Sequence, residues 1–186
     1  LGKIHFWLFF LGVNLTFLPV VEAPDYPGYI DAIIQGGVKV VETAGNNPAK
    51  WLPILKENGI EFAYHNHGYD FTPYLQSTLY DYLIQNTNPD YVSYEIDILW
   101  VHQFGQDPLA YLKKYPSRFK LMHVKDLKKD VPVGLDVKTS SENDVPLGTG
   151  QINVQAILKQ ARKSPIKYYY LEDENSNSKA QVPLSL

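Results

Sequence analysis

Apolar residues fall into short runs separated by stretches of mixed character, and the order of the two kinds repeats along the chain. Strand-like runs occupy 12–17, 38–42, 60–65, 91–97, 119–124 and 167–172, with 4–10 as a candidate seventh. Residues 26–35, 48–58, 74–85, 108–115 and 154–163 read as helices between them. Several helices open on a capping residue: Asp25 or Asn47 ahead of the apolar run, and Asp107 followed by Pro108 at the first helical position. Gly36-Gly37 and Asn58-Gly59 supply stops just before the next strand. This alternation predicts βαβ units and a parallel sheet, an α/β chain of TIM-barrel type. A closed barrel takes eight strands and about 250 residues. With 186 residues and six or seven strands, the expected form is a single barrel-like domain over 1–186, shortened or incomplete.

Composition narrows the function more than the fold. The chain is 45% hydrophobic and 20% charged, as in an ordinary globular protein. A net charge of −3 without a sustained Lys/Arg stripe gives no footprint for nucleic acid. Lack of cysteine removes disulfides, iron–sulfur clusters and thiolate metal sites. Near the start, Lys3 and the apolar run after it imitate a signal peptide, but Gly12, Asn14 and Pro19 interrupt the run. A buried strand over 12–17 is the preferred reading, with no membrane span. The expected compartment is the cytoplasm, a secreted or periplasmic one being left open.

Four segments deliver polar side chains at apparent strand ends: YHNH (64–67), YEID (94–97), MHVKD (122–126) and YYLED (169–173). Alternate residues of a strand share a face, which pairs His65 with His67, Glu95 with Asp97, and His123 with Lys125. Parallel strands linked by helices bring such ends to one side of the sheet. Asp97, His123 and Glu172 then offer two carboxylates and an imidazole, donors suited to Mn²⁺, Mg²⁺, Co²⁺ or Zn²⁺. His65 is the preferred ligand of the HxH pair, and His67 a supporting or substrate contact. Lys125 could hold a sugar oxygen or phosphate, or belong to the solvated charge run KDLKKD. Glu42 could touch substrate or be a satisfied strand-end carboxylate. Trp100 suits the wall of a sugar pocket, and His102 has no evident role. Residues 130–151 form one long polar stretch, either a cover over the site or disordered. GTG at 148–150 ahead of a helix hints at phosphate binding without the full dinucleotide fingerprint.

From about Gly59 onward the segments FAYHNHGYDF, YEIDILWV, GQDPLAYLKKYPSRFKLMHVKDLKK, ENDVPLGTGQINVQAIL and YYYLEDE resemble the sugar phosphate isomerase/epimerase family, the xylose isomerase-like TIM barrels. The resemblance implies a divalent metal at the C-terminal barrel mouth, with Asp97, His123 and Glu172 at ligand positions. His65 stands where many relatives place a glutamate ligand. Residues 11–60 are similar to a stretch of nitronate monooxygenases, FMN-dependent TIM barrels, which places an expected seam near 45–60. The later elements of that second family do not follow, so a flavin oxygenase is not the expected activity.

These readings converge on a metal-dependent isomerase or epimerase acting on a sugar or sugar derivative through an ene-diolate. Glu172 is the preferred proton-transfer base, with Glu95, His67 or Lys125 as its partner. A dehydratase would use the same chemistry. The alternative is a non-catalytic hybrid or engineered barrel fragment with a vestigial site. The expected partner is a small sugar-like molecule, and a homo-oligomer would be one way to complete the barrel.

Overall fold

A computed structural model describes residues 15–17, 29–43 and 48–186. They divide into two compact units, one within Leu1–His65 together with Thr87–Ser93, the other Asn66–Asn86 with Tyr94–Leu186. The expected strand at 4–10 and residues 45–47 of the expected seam near 45–60 lie outside the described residues.

The first unit holds β1 (Leu15–Phe17), α1 (Tyr29–Gln35), β2 (Val40–Thr43), α2 (Leu52–Glu57) and β3 (Glu61–His65). The three strands are parallel, with Leu15 opposite Val40 and Val40 opposite Glu61. Both helices stop where the sequence predicts. Gly37 and Gly59 adopt φ of +67° and +68°, a left-handed conformation that glycine enters without a Cβ clash. Val41, Phe62, Ala63 and Leu55 are buried. The chain between 87 and 93 is tied to α2 by the Lys56 ammonium, which donates to the carbonyl of Asp90 at 3.0 Å.

The second unit begins with a 3-10 turn (Gly68–Phe71) and a two-stranded antiparallel hairpin, β4 (Pro73–Tyr74) and β5 (Ser77–Thr78). Then come α3 (Leu79–Asn86), β6 (Ser93–Asp97), α4 (Ile98–Gln103), α5 (Pro108–Lys114), β7 (Phe119–Val124), α6 (Val154–Ala161), β8 (Tyr168–Leu171) and α7 (Ser178–Gln181). Here the helix expected over 74–85 is corrected: its first part is the hairpin, and helix begins only at Leu79. α4 was not expected, since its apolar start continues the β6 run without a breaker.

β6, β7 and β8 run parallel, and their register sets the chemistry. A shift between Tyr94 and Glu95 skips one residue of β7, after which Glu95 faces Leu121 and Asp97 faces His123. His123 in turn faces Tyr170. The opposite face is apolar: Tyr94, Ile96 and Met122 are buried. Beneath them Tyr80 meets Phe71 and Tyr94 edge to face, with ring centroids 5.4 and 5.6 Å apart. Such pairs add about 0.5–1.5 kcal/mol each beyond the area they bury.

Residues 130–151 are neither helix nor strand apart from the short turn Ser141–Asn143, but hydrogen bonds hold them at both ends. The Gln103 amide donates to the carbonyls of Pro132 and Val137, and the Gln151 amide to those of Lys128 and Val131. Asn175 and Ser176 bind Glu142 and Asp144 at the far end. Among the described residues no helix is long and apolar enough to cross a membrane.

Candidate metal centre

Three strand ends of the second unit bring Asp97, His123 and Glu172 together. Each offers a donor atom, and these atoms all lie within 4.8 Å of one another. His123 Nδ1 is 2.6 Å from Glu172 Oε2 and 3.8 Å from Asp97 Oδ2. Bonds of about 2.0–2.2 Å to one ion place neighbouring ligand atoms about 3 Å apart. The two observed separations bracket that spacing, so the donor set fits a divalent cation in both geometry and charge.

Each side chain is placed by local structure. Asp97 caps α4: its Oδ1 accepts from the N–H groups of Leu99 at 2.9 Å and Trp100 at 3.2 Å. That fixes the carboxylate and turns Oδ2 toward His123. Glu172 follows β8, its N–H donating to the carbonyl of Val124 on β7 at 3.4 Å. Glu95, fully buried two residues before Asp97, lies 3.3 Å from the other side of the His123 ring, at Nε2.

Lys125 extends the same face by two residues. It is 2% exposed, and its ammonium donates to Glu172 Oε2 at 3.1 Å and Glu174 Oε2 at 3.0 Å. Burial favours its neutral form, yet the carboxylates of Asp97, Glu172, Glu174 and Asp144 outweigh this and hold its pKa well above the usual value. Burial would likewise raise Glu172, but hydrogen bonds and charge from His123 and Lys125 hold it well below the carboxylate range. Asp144 goes the other way. Burial pushes its carboxyl up to about 6, although it accepts the N–H of Glu174.

His67 is half-buried beside aromatic rings. It lies parallel to Tyr69 at 5.9 Å between centroids, and 5.7 Å from Trp100. His65 ends β3 in the first unit, 3.6 Å from Glu42. His102 has a partner, Gln151, at 3.2 Å.

Sequence reasoning missed several residues. Asn66 is fully buried, accepts the Asp97 N–H at 3.0 Å and donates to the Asp97 carbonyl at 3.3 Å. Glu174 was legible as the next alternate residue after Glu172. Asp126 accepts four backbone N–H groups: Gly148 and Gly150 on Oδ2, each at 2.9 Å, and Leu127 and Ile152 on Oδ1. The GTG amides that hinted at phosphate binding therefore already hold an anion from the chain itself.

Over 81 residues the chain is 33% identical to an inosose dehydratase of Bacillus cereus (strain AH820), spanning 42% of this chain and 26% of that protein. An inosose dehydratase of Mesomycoplasma hyopneumoniae (strain 7448) is 32% identical over 85 residues, 46% of this chain and 27% of that one. A sugar phosphate isomerase/epimerase of Parabacteroides distasonis ATCC 8503 superposes with a TM-score of 0.60 at 27% identity, covering 78% of this chain and 54% of the other. The IOLI protein, solved with a zinc atom, shares the fold at 17% identity and a TM-score of 0.66, over 85% of this chain and 64% of that one. The chain thus matches about a quarter of the dehydratases' length and just over half of the isomerase/epimerase. One family model runs from residue 13 to residue 184, across the segment where a seam was expected. On that match the chain belongs to the xylose isomerase-like TIM barrel family.

Proposed function

We propose that this chain is a divalent-metal-dependent enzyme that rearranges a sugar or sugar derivative by moving a proton next to a carbonyl group. Asp97, His123 and Glu172 hold the ion in this reading. The observation that carries it is their convergence: one imidazole between two carboxylates, with donor atoms within 4.8 Å. When bound, a divalent ion supplies Lewis acidity for adjacent carbonyl and hydroxyl oxygens and favours the ene-diolate.

The protein's own groups divide the remaining work. Asp97 is held by the α4 N-terminus and by Asn66, so it binds without reorganising. Glu172 combines the ligand role with the base role only when Lys125 and His123 release its Oε2, since both now engage that atom. Lys125 stays an ammonium and donates hydrogen bonds. Glu95 orients His123 through Nε2, and His67, on the aromatic surface with Tyr69 and Trp100, is the proposed partner for proton transfer. Return of the proton to the neighbouring carbon gives an isomerase. Return to the opposite face of the same carbon gives an epimerase, and loss of a neighbouring hydroxyl as water gives a dehydratase. The inosose dehydratase relatives favour testing the last of these early.

Elemental analysis of the purified protein, with melting curves in Mn²⁺ and Zn²⁺, tests the reading. A metal at 100 times its Kd adds about 2.7 kcal/mol to the folded state. We expect close to one ion per chain and a rise in Tm, both lost in His123→Ala and Asp97→Asn. Neither metal raising the Tm would leave the non-catalytic barrel fragment as the better account.

A further inference from the structure

The polar stretch 128–151 is held by hydrogen bonds and not by a core: no residue from 131 to 143 is buried. What singles it out is where those bonds end. Each of the three strands that deliver Asp97, His123 and Glu172 is followed closely by an anchor for this stretch.

Behind Asp97, the last turn of α4 is the anchor. The fully buried Gln103 amide donates to the carbonyls of Pro132 and Val137 at 3.2 and 3.3 Å, and the Gln103 carbonyl accepts the Gly134 N–H at 2.8 Å. Its neighbour His102 meets Gln151, whose amide donates to the carbonyls of Lys128 and Val131. Behind His123, the Asp126 carboxylate fills the cradle of the Gly148, Gly150 and Ile152 N–H groups, and its carbonyl accepts the Val145 N–H at 3.2 Å. Behind Glu172, the Glu142 carboxylate accepts the Ser176 N–H at 3.1 Å and the Ser176 hydroxyl at 2.8 Å. The Asn175 amide adds bonds to the carbonyls of Glu142 and Asp144.

An exposed segment gains little from burial to offset the entropy of ordering it. Its order therefore depends on these bonds, and the same bonds restrain the three strand ends relative to one another. Gln103 ends the helix that Asp97 caps, and Ser176 lies four residues beyond Glu172. We propose, on the metal reading above, that 128–151 is a strap that sets the spacing of the three ligands, with Gln103 and Glu142 as positioning residues. Each acts through the ligand-bearing chain to which it ties the strap. Linkage makes the effect reciprocal: if the tied strap favours metal binding, the metal favours the tied strap by the same factor.

The test compares wild type, Gln103→Ala and Glu142→Ala. Mn²⁺ affinity is measured by calorimetry, metal-free stability by melting, and amide hydrogen exchange by mass spectrometry with and without saturating Mn²⁺. Both variants should bind Mn²⁺ about three- to tenfold more weakly than wild type. In the wild type, Mn²⁺ should slow exchange of the Gly134 and Ser176 amides by a similar factor. Glu142 is exposed, so its replacement leaves the core intact and decides the outcome even where Gln103→Ala folds poorly. A bond serving stability alone would lower the metal-free Tm and leave affinity unmoved. Wild-type affinity in either folded variant, or exchange at Gly134 and Ser176 that does not respond to Mn²⁺, would overturn the strap. Wild-type protein that takes up no Mn²⁺ would instead overturn the metal reading, so the two failures are distinguishable.

Discussion

Replacing Asn66 by alanine removes two hydrogen bonds from the backbone of Asp97 in one step. The side-chain oxygen accepts the Asp97 N–H at 3.0 Å, and the side-chain amide donates to its carbonyl at 3.3 Å. Both residues are fully buried, so no water replaces either bond. A buried polar group left without a partner costs about 1–3 kcal/mol. Two such groups give a loss of about 2–6 kcal/mol, the lower end applying if the α4 start relaxes. With a urea slope of about 2 kcal/mol per M, the unfolding midpoint should fall by about 1–3 M at unchanged slope. Asn66 also sets the place from which the Asp97 carboxylate reaches His123. Metal affinity should therefore drop about 10–100-fold, as when a group orienting a ligand is removed. Isothermal titration of Mn²⁺ or Zn²⁺ under conditions where the variant stays folded separates this from instability. A midpoint unchanged within error, or lost stability with wild-type metal affinity, would refute the argument that Asn66 positions Asp97.

Two predictions concern parts of the second unit away from the proposed metal ligands. Burial alone would raise the Asp81 carboxyl, but the Lys114 ammonium at 2.7 Å and the hydroxyls of Ser77 and Tyr115 outweigh it and hold the pKa at about 2. A depressed pKa stabilises the fold above the ordinary value of 3.8, and the contribution is lost as pH falls through the folded value. Lys114 is half exposed, so solvent screening reduces the effect to about 1–2 kcal/mol. Asp81→Asn should flatten the fall in stability between pH 4 and pH 2, measured by urea unfolding; an unchanged acid slope would count against the network. Gly150→Ala places a methyl 2.3 Å from both Asp126 Oδ1 and the Leu127 carbonyl, with no flexible side-chain end to yield. Overpacking of this kind costs about 1–3 kcal/mol, and a melting curve indistinguishable from wild type would show the cradle to be looser than described.

Features with a short-range cause were legible in the chain. The strands β2, β3, β6, β7 and β8 fall within two residues of their expected bounds because each is an apolar run closed by a turn or helix signal. Asp107 caps α5 with Pro108 behind it, as read from the pair alone. Two-residue alternation likewise placed Glu95 with Asp97 and His123 with Lys125, since a strand's side-chain period is local geometry. The errors have local causes too. Nothing in Ile98-Leu99-Trp100-Val101 breaks the β6 run, and the helix there begins because Asp97 turns back to cap it. No glycine or asparagine marks the hairpin at 73–78, where Leu75 takes a φ of +52°.

Long-range bonds were a different matter. Asn66 looks like a spacer between two histidines, and Asp126 like one more member of a charge run. Their roles depend on partners 31 and 22 residues away. Side-chain to backbone hydrogen bonds across such distances have no sequence period, because they follow from how the strand ends and loops pack. Composition and periodicity could therefore name the donors Asp97, His123 and Glu172. Their mutual distances, the saturation of Lys125 and the occupation of the GTG cradle by Asp126 arise only when three parallel strands are brought into register.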